Sequence, residues 1–544
     1  MVMMSTIHKI RAIVMENSKN EEFIHWADLV AEQIITERGD KKNYVCASGI
    51  TPSGTVHIGN FREIITTDLI VKALEDKGKI IRFIYSWDDY DRFRKVPKNL
   101  PEQERLKKFI GFPVSSVPDP YGCHNSYAEH FEKELESSLE SLSLNIEFIR
   151  QNEKFKACTY AESIKTALKA RARIKKVLDR FRKEEHPGDW IPLEVYCEKC
   201  GTDFTKITDY DEKYTITYEC KCGHTNTIDF RKTGIVKPPW RVDWPMRWDF
   251  EKVDFEPGGK EHSSAGGSRD TAKIIVKHIF RSEPPIYKMY DFIIVKGIGG
   301  KMSGSLGNVI SVKDVLDVYM PETMRFLFAG TKPNKEFALA FDEEIFKIYD
   351  DFYRAERAYF LEDEDNPRKL AHLKRVYRFS MPHVIPKKLP VQPAFRTVCD
   401  TIQATQDTEK AKEIILAGFD KPLPFDILRV EKMMECAQNW LDKHAKEQFR
   451  VKVNKAVPKK VIDSLSKEQL KALRTVAGNL ESETYTEDGL FDMFRKSAED
   501  SGTDMKSFFK GFYLAVISKE KGPRLAGFVK AIGEKKVAEI LKTL

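Results

Sequence analysis

Two glycine-containing segments of the sequence carry side chains that could bind the phosphates of a nucleotide. In "SGITPSGTVHIGNFRE", residues 48–63, His57 and Asn60 stand three positions apart at the start of a helical pattern. Side chains at that spacing share one face of the first helical turn, where free N–H groups favour an anion. In "KGIGGKMSGSLG", Lys301 follows closely spaced glycines, so its ammonium group could swing onto a triphosphate. Taken alone, the first segment also fits an ordinary helix start, and the second also fits a solvated flexible loop.

Four cysteines close together in the sequence could hold a metal ion. Cys197 and Cys200 form one Cys-x2-Cys pair, and Cys220, Cys222 and His224 follow nineteen residues after it. Two such pairs predict a zinc ribbon with a closed, four-coordinate structural site. Cys220 with either Cys222 or His224 would complete the ligand set.

A second group of zinc-ligand side chains occurs in "DPYGCHNSYAEHF". Its members are Asp119, Cys123, His124 and His130, and Ser126 could cap a helix that carries His130. The sequence favours a second zinc site here no more strongly than it favours an ordinary polar surface.

The elements around the first segment are those of a βαβ unit. "YVCAS" is typical of a short buried strand, and residues 58–73 show a helical periodicity that Gly78 ends. "IIRFIYS" then predicts a second strand, so we expect parallel strands joined by a right-handed crossover. Ligands of such units bind beyond the carboxyl ends of the strands. Residues 291–296 are likewise strand-like, and Ser311 with Asp314 indicates a capping box that opens a helix.

The length and composition of the chain limit the class of protein to which it can belong. A chain of 544 residues is too long for one core and should form about three or four domains. Its net charge of +7 permits a polyanionic partner without requiring one. No apolar run approaches the roughly 20 residues of a membrane span, and charged residues interrupt the apolar N-terminus, which makes it a poor signal peptide. We therefore expect a cytoplasmic protein without a membrane partner.

Together, the two phosphate-binding segments resemble the paired signatures of class I aminoacyl-tRNA synthetases. The "HIGH" signature appears as HIGN and the "KMSKS" signature as KMSGS, in the same order and in the same strand–loop contexts. Asn60 replaces the second His, and Gly304 replaces the second Lys, so Lys301 must supply the main positive charge of its loop. "GITPSGTVHIGNFRE", "SWDDYDRFRKVP", "GKEHSSAGGSRD" and "SKEKGPRLAGF" further resemble the class I lysyl-tRNA synthetases. This resemblance runs from about residue 23 to the C-terminus and is weakest in the last third.

The resemblance implies a two-step reaction that uses ATP and Mg²⁺. The carboxylate of lysine attacks the α-phosphorus of ATP, and the terminal ribose 2′-hydroxyl of tRNA(Lys) then attacks the lysyl-adenylate. No side chain needs to be a covalent nucleophile, because positioning and charge stabilisation suffice. The implied catalytic residues are His57, Asn60, Lys301 and Ser303. The implied ATP-binding residues are Pro52, Ser53, Gly54, Thr55, Val56, His57, Ile58, Gly59, Asn60, Glu261, Lys301, Met302, Ser303, Gly304 and Ser305.

The same resemblance implies a lysine site. Its residues are Gly49, Thr51, Trp240, His262 and Tyr290. An ammonium group is recognised by carboxylates and by aromatic faces. We favour Tyr290 over the nearby Tyr287 as the aromatic wall. Asp88, Asp89 or Asp91, which follow the second strand, could reach the same pocket.

The expected fold class is α/β: a Rossmann-type class I synthetase catalytic domain with a zinc-binding insertion, followed by an all-α C-terminal anticodon-binding domain. The predicted segments are a helical lead-in at residues 1–40, the first catalytic half at 41–95, the insertion at 96–237, the second catalytic half at 238–310, a connector at 311–345 and the anticodon-binding domain at 346–544. The insertion carries both metal candidates, the second of which resembles a metal site of the family. It also carries a basic helix within residues 164–185, which is either a contact for the tRNA acceptor stem or a solvated charged helix.

Other functions are compatible with part of these features. A class I synthetase for another amino acid would share the ATP site, but glutamate would call for arginines where this chain offers Trp, Tyr and Asp. A catalytically inactive tRNA-binding paralogue would be expected to have lost His57 or Lys301, and both are present. A nucleotidyltransferase for a smaller substrate would not need the long helical tail. Ligation of lysine to tRNA(Lys) is therefore the preferred hypothesis, and the oligomeric state, the anticodon contacts and any dependence of activation on tRNA stay open.

Overall fold

The structure, a computed structural model, describes residues 25–263 (for Glu261 the main chain alone), 266–296 and 309–544. The chain divides into two compact units. Unit 1 comprises the residues up to 316 together with 321–339 and 355–385, and unit 2 comprises 317–320, 340–354 and 386–544. The first 24 residues of the predicted lead-in lie outside the described residues. No helix in the described ranges has the length and apolar character of a membrane span.

A parallel sheet forms the base of unit 1. α1 (Trp26–Arg38) leads into β1 (Asn43–Ile50), and α2 (Ile58–Glu75) connects β1 to β2 (Ile80–Trp87). β1 and β2 pair in parallel along their whole length, which confirms the predicted βαβ unit. The next strand in the sheet, β3 (Glu147–Arg150), pairs in parallel with the carboxyl end of β2.

The sheet continues into the second half of the predicted catalytic domain. Phe255 forms parallel bridges with Cys46 on one side and Ile286 on the other. The N–H of Ala47 donates to the carbonyl of Phe255 at 2.8 Å. Residues that are more than 200 positions apart in the sequence therefore share one sheet.

The crossover helix α2 is apolar around most of its circumference because the fold buries it. Its buried side chains include Ile58, Phe61, Ile65 and Leu69. The guanidinium of the buried Arg62 donates to four main-chain carbonyls, those of Asp291, Phe292, Lys332 and Lys335. A buried charge with a full set of acceptors avoids most of the desolvation cost that an unpaired one would carry, so Arg62 fixes this helix against the loops around it.

The insertion between β2 and the second catalytic half mixes short helices with a small antiparallel sheet. Its elements besides β3 are α3 (Gln103–Lys107), α4 (Tyr127–Leu139), α5 (Gln151–Lys156), α6 (Ala161–Lys169), α7 (Arg171–Asp179), β4 (Glu194–Val195), β5 (Thr205–Tyr210), β6 (Thr215–Cys220), β7 (Thr225–Asp229) and β8 (Val236–Lys237). β5, β6 and β7 form the three-stranded antiparallel sheet of the predicted ribbon, and β4 pairs with β8.

The prediction of one continuous basic helix in the insertion is wrong. The chain breaks at Ala170, whose N–H bonds to the carbonyl of Ala167 instead of four residues back, so α6 ends and α7 begins. Two of the cations are also paired: Arg171 with Glu212 and Lys175 with Asp179. Helix propensity favours continuation here, so the break reflects packing of the two helices against different neighbours.

The second catalytic half returns to the sheet through short elements. They are α8 (Trp240–Glu251), β9 (Gly258–Gly259), α9 (Ser268–Ile275), β10 (Met289–Tyr290), β11 (Ile293–Val295), α10 (Val312–Leu316), α11 (Pro321–Ala329) and β12 (Phe337–Leu339). β9 pairs with β10, and β11 with β12, both in parallel. The capping box that opens α10 is confirmed: Ser311 N–H donates to Asp314 Oδ2 at 2.9 Å, and Asp314 N–H to Ser311 Oγ at 3.1 Å.

Helices account for the rest of the chain, as predicted. They are α12 (Glu344–Leu361), α13 (Pro367–Ser380), α14 (Phe395–Thr405), α15 (Thr408–Ala417), α16 (Pro424–Lys443), α17 (Lys459–Ile462), α18 (Lys467–Ser482), α19 (Glu487–Glu499), α20 (Met505–Ile517), α21 (Leu525–Ile532) and α22 (Glu534–Leu541). The proline-rich stretch separates α13 from α14. In unit 2, α18 to α22 pack around fully buried side chains such as Val476, Phe494, Phe512 and Val529.

Candidate active site and metal clusters

A cavity of about 860 Å³ opens at the carboxyl ends of β1 and β2. Its walls come from the loop at residues 49–57, from residues 88–97, and from Val114, Trp240 and His262. Parallel α/β sheets place ligands at this edge, next to the N-terminus of the crossover helix. We call the side formed by residues 53–60 the ATP end and the side formed by Gly49, Thr51, Trp240 and His262 the amino-acid end.

At the ATP end, His57 is the N-cap residue of α2. Its Nδ1 accepts the N–H of Gly59 at 3.1 Å, so the neutral ring carries its proton on Nε2, which is then a donor. Asn60 lies in the first turn of the same helix and also lines the cavity. Gly54 has φ +152°, a conformation that side chains rarely adopt, so the loop depends on glycine there.

The loop residues implied for ATP binding gather at this end of the cavity. Those that line it are Ser53, Gly54, Thr55, Val56, His57 and Asn60. Pro52 and Ile58 are buried beside them, and Gly59 donates to His57. These side chains and main-chain groups form one contiguous wall because they are neighbours in sequence.

The second signature lies outside the described residues. This applies to Lys301, Met302, Ser303, Gly304 and Ser305, and also to the side chain of Glu261. The chain that follows them comes back to the start of α2. Ile58 N–H donates to the carbonyl of Ile310 at 2.8 Å, and His57 forms an antiparallel bridge with Ser311.

At the amino-acid end, β1 and β2 approach each other closely. A side chain at Gly49 would place its Cβ 2.6 Å from the carbonyl oxygen of Ser86, so glycine is required for the pairing. Thr51 directs its hydroxyl to Asp91, with Oγ1 donating to Oδ2 at 2.9 Å. Trp240 and His262 close the same side. The structure thus brings together four of the five residues implied for lysine binding along one wall.

Glu63 is a residue that the sequence analysis missed. Its Oε1 accepts the N–H of Gly49 at 3.1 Å, and its Oε2 accepts the hydroxyl of Tyr290 at 2.7 Å. Burial raises the pKa of Glu63 to about 8, although both hydrogen bonds oppose that rise. The sequence feature from which Glu63 could have been predicted is its position three residues after Asn60, on the same face of α2.

The two tyrosines near this site have different partners. Tyr290 reaches Gly49 through Glu63. Tyr287 instead donates to the carbonyl of Gly258 at 3.0 Å and pairs with the hydroxyl of Ser263 at 2.6 Å. The geometry therefore links Tyr290, and not Tyr287, to the wall of the amino-acid end.

A buried network of charges, the Asp88–Asp91 network, lies behind this wall. Arg247 contacts Asp88 at 2.7 Å and Asp243 at 3.2 Å. Lys237 contacts Asp91 and, at 3.5 Å, Asp243. Burial alone would raise the pKa of Asp91, but the Lys237 ammonium outweighs it and holds that pKa below its usual value. Asp88 and Asp91 line the cavity, each with a cation as its partner, and the third carboxylate, Asp243, is fully buried with a raised pKa. Arg92, Arg94 and Lys95 also line the cavity.

Asp89, one of the residues singled out for this pocket, has a structural role instead, and so do two neighbouring tryptophans. Asp89 accepts the N–H of Asn152 at 2.7 Å, and burial raises its pKa to about 7. Trp244 and Trp248 are buried and both donate their indole N–H to Glu256. Of the three tryptophans of α8, Trp240 is the one that lines the cavity, stacked on Trp244 at 5.2 Å between ring centroids.

The four cysteines of the ribbon converge. One ligand atom from each of Cys197, Cys200, Cys220 and Cys222 lies within 4.8 Å of the others. The Sγ atoms of Cys197 and Cys222 are 3.8 Å apart, and those of Cys200 and Cys220 are 3.5 Å apart. A tetrahedral zinc site with bonds of about 2.3 Å has sulfur–sulfur edges of about 3.8 Å, so the thiols fit that ion.

His224 does not join this cluster. Its main-chain carbonyl accepts the N–H of Cys220 at 2.8 Å, which closes the turn of the second knuckle. Its ring lies 6.1 Å from the ring of Tyr218. Of the two alternatives that the sequence left open, the structure brings Cys222 and not His224 to the other three thiols.

The second predicted group, the Asp119 cluster, also converges, with ligand atoms of Asp119, Cys123, His124 and His130 within 4.8 Å of one another. Cys123 Sγ lies 3.1 Å from His124 Nδ1 and 3.3 Å from His130 Nδ1. These distances are close to the edges of a tetrahedron with zinc–sulfur bonds of about 2.3 Å and zinc–nitrogen bonds of about 2.0 Å. The Asp119 carboxylate also accepts main-chain N–H groups from Tyr121, Cys123 and His124, which outweigh burial and lower its pKa to about 2.

Comparison with known proteins identifies the family. The family model described as tRNA synthetases class I (K) matches residues 24–383, and an anticodon binding domain matches residues 439–543. The lysine–tRNA ligase of Borrelia garinii subsp. bavariensis is 43% identical over 525 residues, covering 94% of this chain and 97% of that protein. The lysine–tRNA ligase of Pyrococcus furiosus is 39% identical, covering 95% of this chain and 99% of that protein. The chain belongs to the class I (K) tRNA synthetase family.

Class I synthetases, the class to which this chain belongs, use ATP with Mg²⁺. The matched anticodon binding domain runs from within α16 to α22, which confirms the predicted all-α C-terminal domain. On its surface, α18 presents the exposed side chains of Lys467, Lys471 and Arg474 around a shallow groove. Exposed cations of this kind suit the phosphates of a nucleic acid.

Proposed function

We propose that this chain attaches L-lysine to tRNA(Lys) through a lysyl-adenylate, using ATP and releasing AMP and pyrophosphate. The observation that carries the proposal is that two fixed carboxylates, Asp88 and Asp91, line the cavity next to Thr51 at its amino-acid end. These carboxylates attract the side-chain ammonium group of lysine, whereas they would repel the side-chain carboxylate of glutamate. Relatives of nearly the same length that are called lysine–tRNA ligases support the same substrate.

The amino-acid end offers three kinds of contact to lysine. Asp91, held between Lys237 and the Thr51 hydroxyl, supplies a fixed carboxylate. Trp240 supplies an aromatic face, which attracts an ammonium group by a cation–π interaction. Glu63 supplies a second carboxylate between Gly49 and Tyr290. Gly49 allows the substrate to approach the main chain where β1 and β2 meet.

The ATP end supplies donors for a reaction in which charge gathers on phosphate oxygens. His57, with its proton on Nε2, and Asn60 donate to the phosphates of ATP, and the start of α2 adds its free N–H groups. Lys301 and Ser303 act from the segment outside the described residues, with Lys301 neutralising the leaving pyrophosphate. Catalysis then rests on positioning and electrostatic stabilisation, with no covalent intermediate on a side chain.

We assign one structural zinc ion to the four cysteines of the ribbon and a second to the Asp119 cluster, because both donor sets fit a tetrahedral ion. Metal content of the purified chain tests this. Cys200→Ser and His130→Ala should each lose one zinc per chain, and His224→Ala should lose none. A zinc content unchanged by Cys200→Ser would contradict the ribbon assignment.

The remaining segments serve the tRNA. In this proposal the insertion at 96–237 contacts the acceptor stem through α7, which exposes Arg173 and Lys176. The domain at 346–544, of which residues 439–543 match an anticodon binding domain, binds the anticodon stem and loop. A cytoplasmic location is expected as well, because a reducing compartment keeps the clustered thiols available for a metal.

The decisive experiment is ATP–pyrophosphate exchange with each of the 20 amino acids, with and without tRNA(Lys). Exchange that depends on lysine supports the proposal, and its dependence on tRNA would show whether activation waits for that partner. Exchange with a different amino acid would reassign the pocket to another class I synthetase. Absence of exchange in all conditions, together with intact tRNA binding, would leave the inactive paralogue as the better reading.

A further inference from the structure

Helix α4 begins inside the Asp119 cluster. Its N-cap residue Ser126 accepts the N–H of Glu129 at 3.1 Å, and Tyr127 N–H donates to the carbonyl of Val117 at 2.8 Å. His130, one turn further on, places its Nδ1 3.3 Å from Asp119 Oδ1. The loop that holds three of the cluster's side chains is thereby fastened to the first turns of the helix.

The same helix reaches the ATP end of the cavity. Tyr127 is fully buried, and its hydroxyl donates to the carbonyl of Ser53 at 2.9 Å. Its ring packs between Phe93 and Phe131, with centroids 5.2 and 4.9 Å away. Burial also raises the pKa of Tyr127, so the hydroxyl stays protonated and remains a donor.

A second contact lies two turns further along α4. The Glu134 carboxylate is half-buried, which raises its pKa, and the neighbouring Thr55 side chain opposes that rise. Tyr127 and Glu134 are seven residues apart and therefore lie on the same face of the helix. The face that carries them is the one that supports residues 53–55.

Fixing the carbonyl of Ser53 fixes more than one atom. The peptide bond is planar and trans, so the carbonyl of Ser53 and the N–H of Gly54 point in opposite directions from one rigid plane. Residues 51–55 contain no helix or strand that would fix this plane otherwise, and Gly54 has the freedom of a positive φ. A hydrogen bond from Tyr127 therefore decides where the Gly54 N–H points.

We propose that Tyr127 is a positioning residue for ATP: it orients the Ser53–Gly54 peptide so that the Gly54 N–H meets a phosphate, and α4 makes this orientation depend on the Asp119 cluster. The inference rests on the part of the proposed function that places ATP in this cavity, and not on the identity of the amino acid. Its consequence is that damage to the cluster weakens ATP binding although no cluster residue touches ATP.

The first test is Tyr127→Phe in the full chain, which removes one hydroxyl and keeps the buried ring. We measure the dissociation constant of Mg–ATP by calorimetry, and the KM values for ATP and lysine in pyrophosphate exchange with tRNA(Lys) present. Loss of one hydrogen bond should weaken Mg–ATP binding roughly three- to tenfold and leave the KM for lysine unchanged. Tyr44→Phe is the matched control, since it loses a hydroxyl bond to the carbonyl of Gly39 (2.7 Å) at the opposite end of β1.

The second test adds His130→Ala, alone and combined with Tyr127→Phe. If α4 transmits the state of the cluster, His130→Ala should also weaken Mg–ATP binding, and the double variant should lose no more than the larger single loss. Unchanged Mg–ATP binding in Tyr127→Phe, or equal losses for ATP and lysine, would overturn the role of Tyr127. Fully additive losses would overturn the link to the cluster. These outcomes are read from the calorimetric dissociation constants of Mg–ATP. A failure of the proposed function would appear elsewhere, as pyrophosphate exchange by the wild-type chain that does not depend on lysine.

Discussion

The two ends of the cavity are built in opposite ways. The ATP end comes from one short run of sequence, residues 53–60, in which a loop leads into the first turn of α2. The amino-acid end draws on Gly49, Glu63, Asp91, Arg247 and Tyr290, which come from separate elements. The ATP end therefore presents hydrogen-bond donors that one short segment positions. The charged groups of the amino-acid end come together only when the whole of unit 1 is folded.

This difference predicts different consequences of mutation. At the ATP end, His57 lines the cavity, its ring is only half-buried, and its capping bond to Gly59 is worth about 1 kcal/mol, so its loss should affect rate more than stability. At the amino-acid end, buried charges depend on one another, so removal of one leaves its partners unpaired in a medium of low dielectric constant. Each of the following changes tests this contrast, in order of decreasing expected effect.

Arg247→Met should give the largest effect, a loss of about 3–5 kcal/mol in the free energy of unfolding, because it leaves Asp88 buried without its cation and leaves Asp243 with Lys237 alone, at 3.5 Å. Urea unfolding of the full chain, followed by tryptophan fluorescence, measures it. Arg241→Met on the same helix is the control, since within the part of the chain that the structure describes the hydrogen bond of Arg241 is a 3.5 Å contact with the carbonyl of Gly266, and the change should cost about 1 kcal/mol or less.

A double variant sharpens this first test. Adding Asp88→Asn to Arg247→Met removes one of the stranded charges, so part of the lost stability should return. Equal stability of the single and double variants would mean that the network is not electrostatically coupled, and the contrast between the two ends would lose its basis.

The same contrast explains what the sequence could predict. The βαβ unit and the convergence of the four cysteines follow from local spacing, and the structure shows both. The residues implied for ATP binding came from the family resemblance, and their role stays a prediction. Glu63, Lys237 and Arg247 were missed, because their roles arise from contacts between residues that are far apart in the chain. The break at Ala170 was missed for a related reason, since helix propensity gives no sign of it and only tertiary packing produces it.

His57→Ala should lower the kcat of lysine-dependent exchange by about 10²–10³-fold, the usual cost of removing a donor to developing charge. The melting temperature should change little, because the ring is not part of the core. The exposed His278 provides the control, and His278→Ala should leave exchange unchanged. A large fall in melting temperature for His57→Ala would show that the ATP end, too, is held by long-range packing.

Glu63→Gln should raise the KM for lysine at pH 8.5 by about 10–100-fold, because a hydrogen bond between charged groups is worth about 1.5–3 kcal/mol. The amide preserves the shape of the side chain and can still accept the hydroxyl of Tyr290. The KM for ATP should stay constant. Glu75→Gln, at the exposed far end of α2, is the matched control and should alter neither constant. Equal increases in both KM values would indicate a general distortion of α2 and not a role at the amino-acid end.

The pH dependence of lysine binding should be the smallest effect and the most specific to the amino-acid end. Burial raises the pKa of Glu63 to about 8, so its carboxyl group is mostly neutral at pH 7 and mostly ionised at pH 8.5. Only the ionised form attracts an ammonium group, and the KM for lysine should therefore fall about five- to tenfold over this interval, in line with the rise in the ionised fraction. The KM for ATP should not follow the same curve, since the ATP end takes no part in this ionisation. In Glu63→Gln the fall should disappear; if it persists there, another group titrates and the two carboxylates of the amino-acid end must be reassigned.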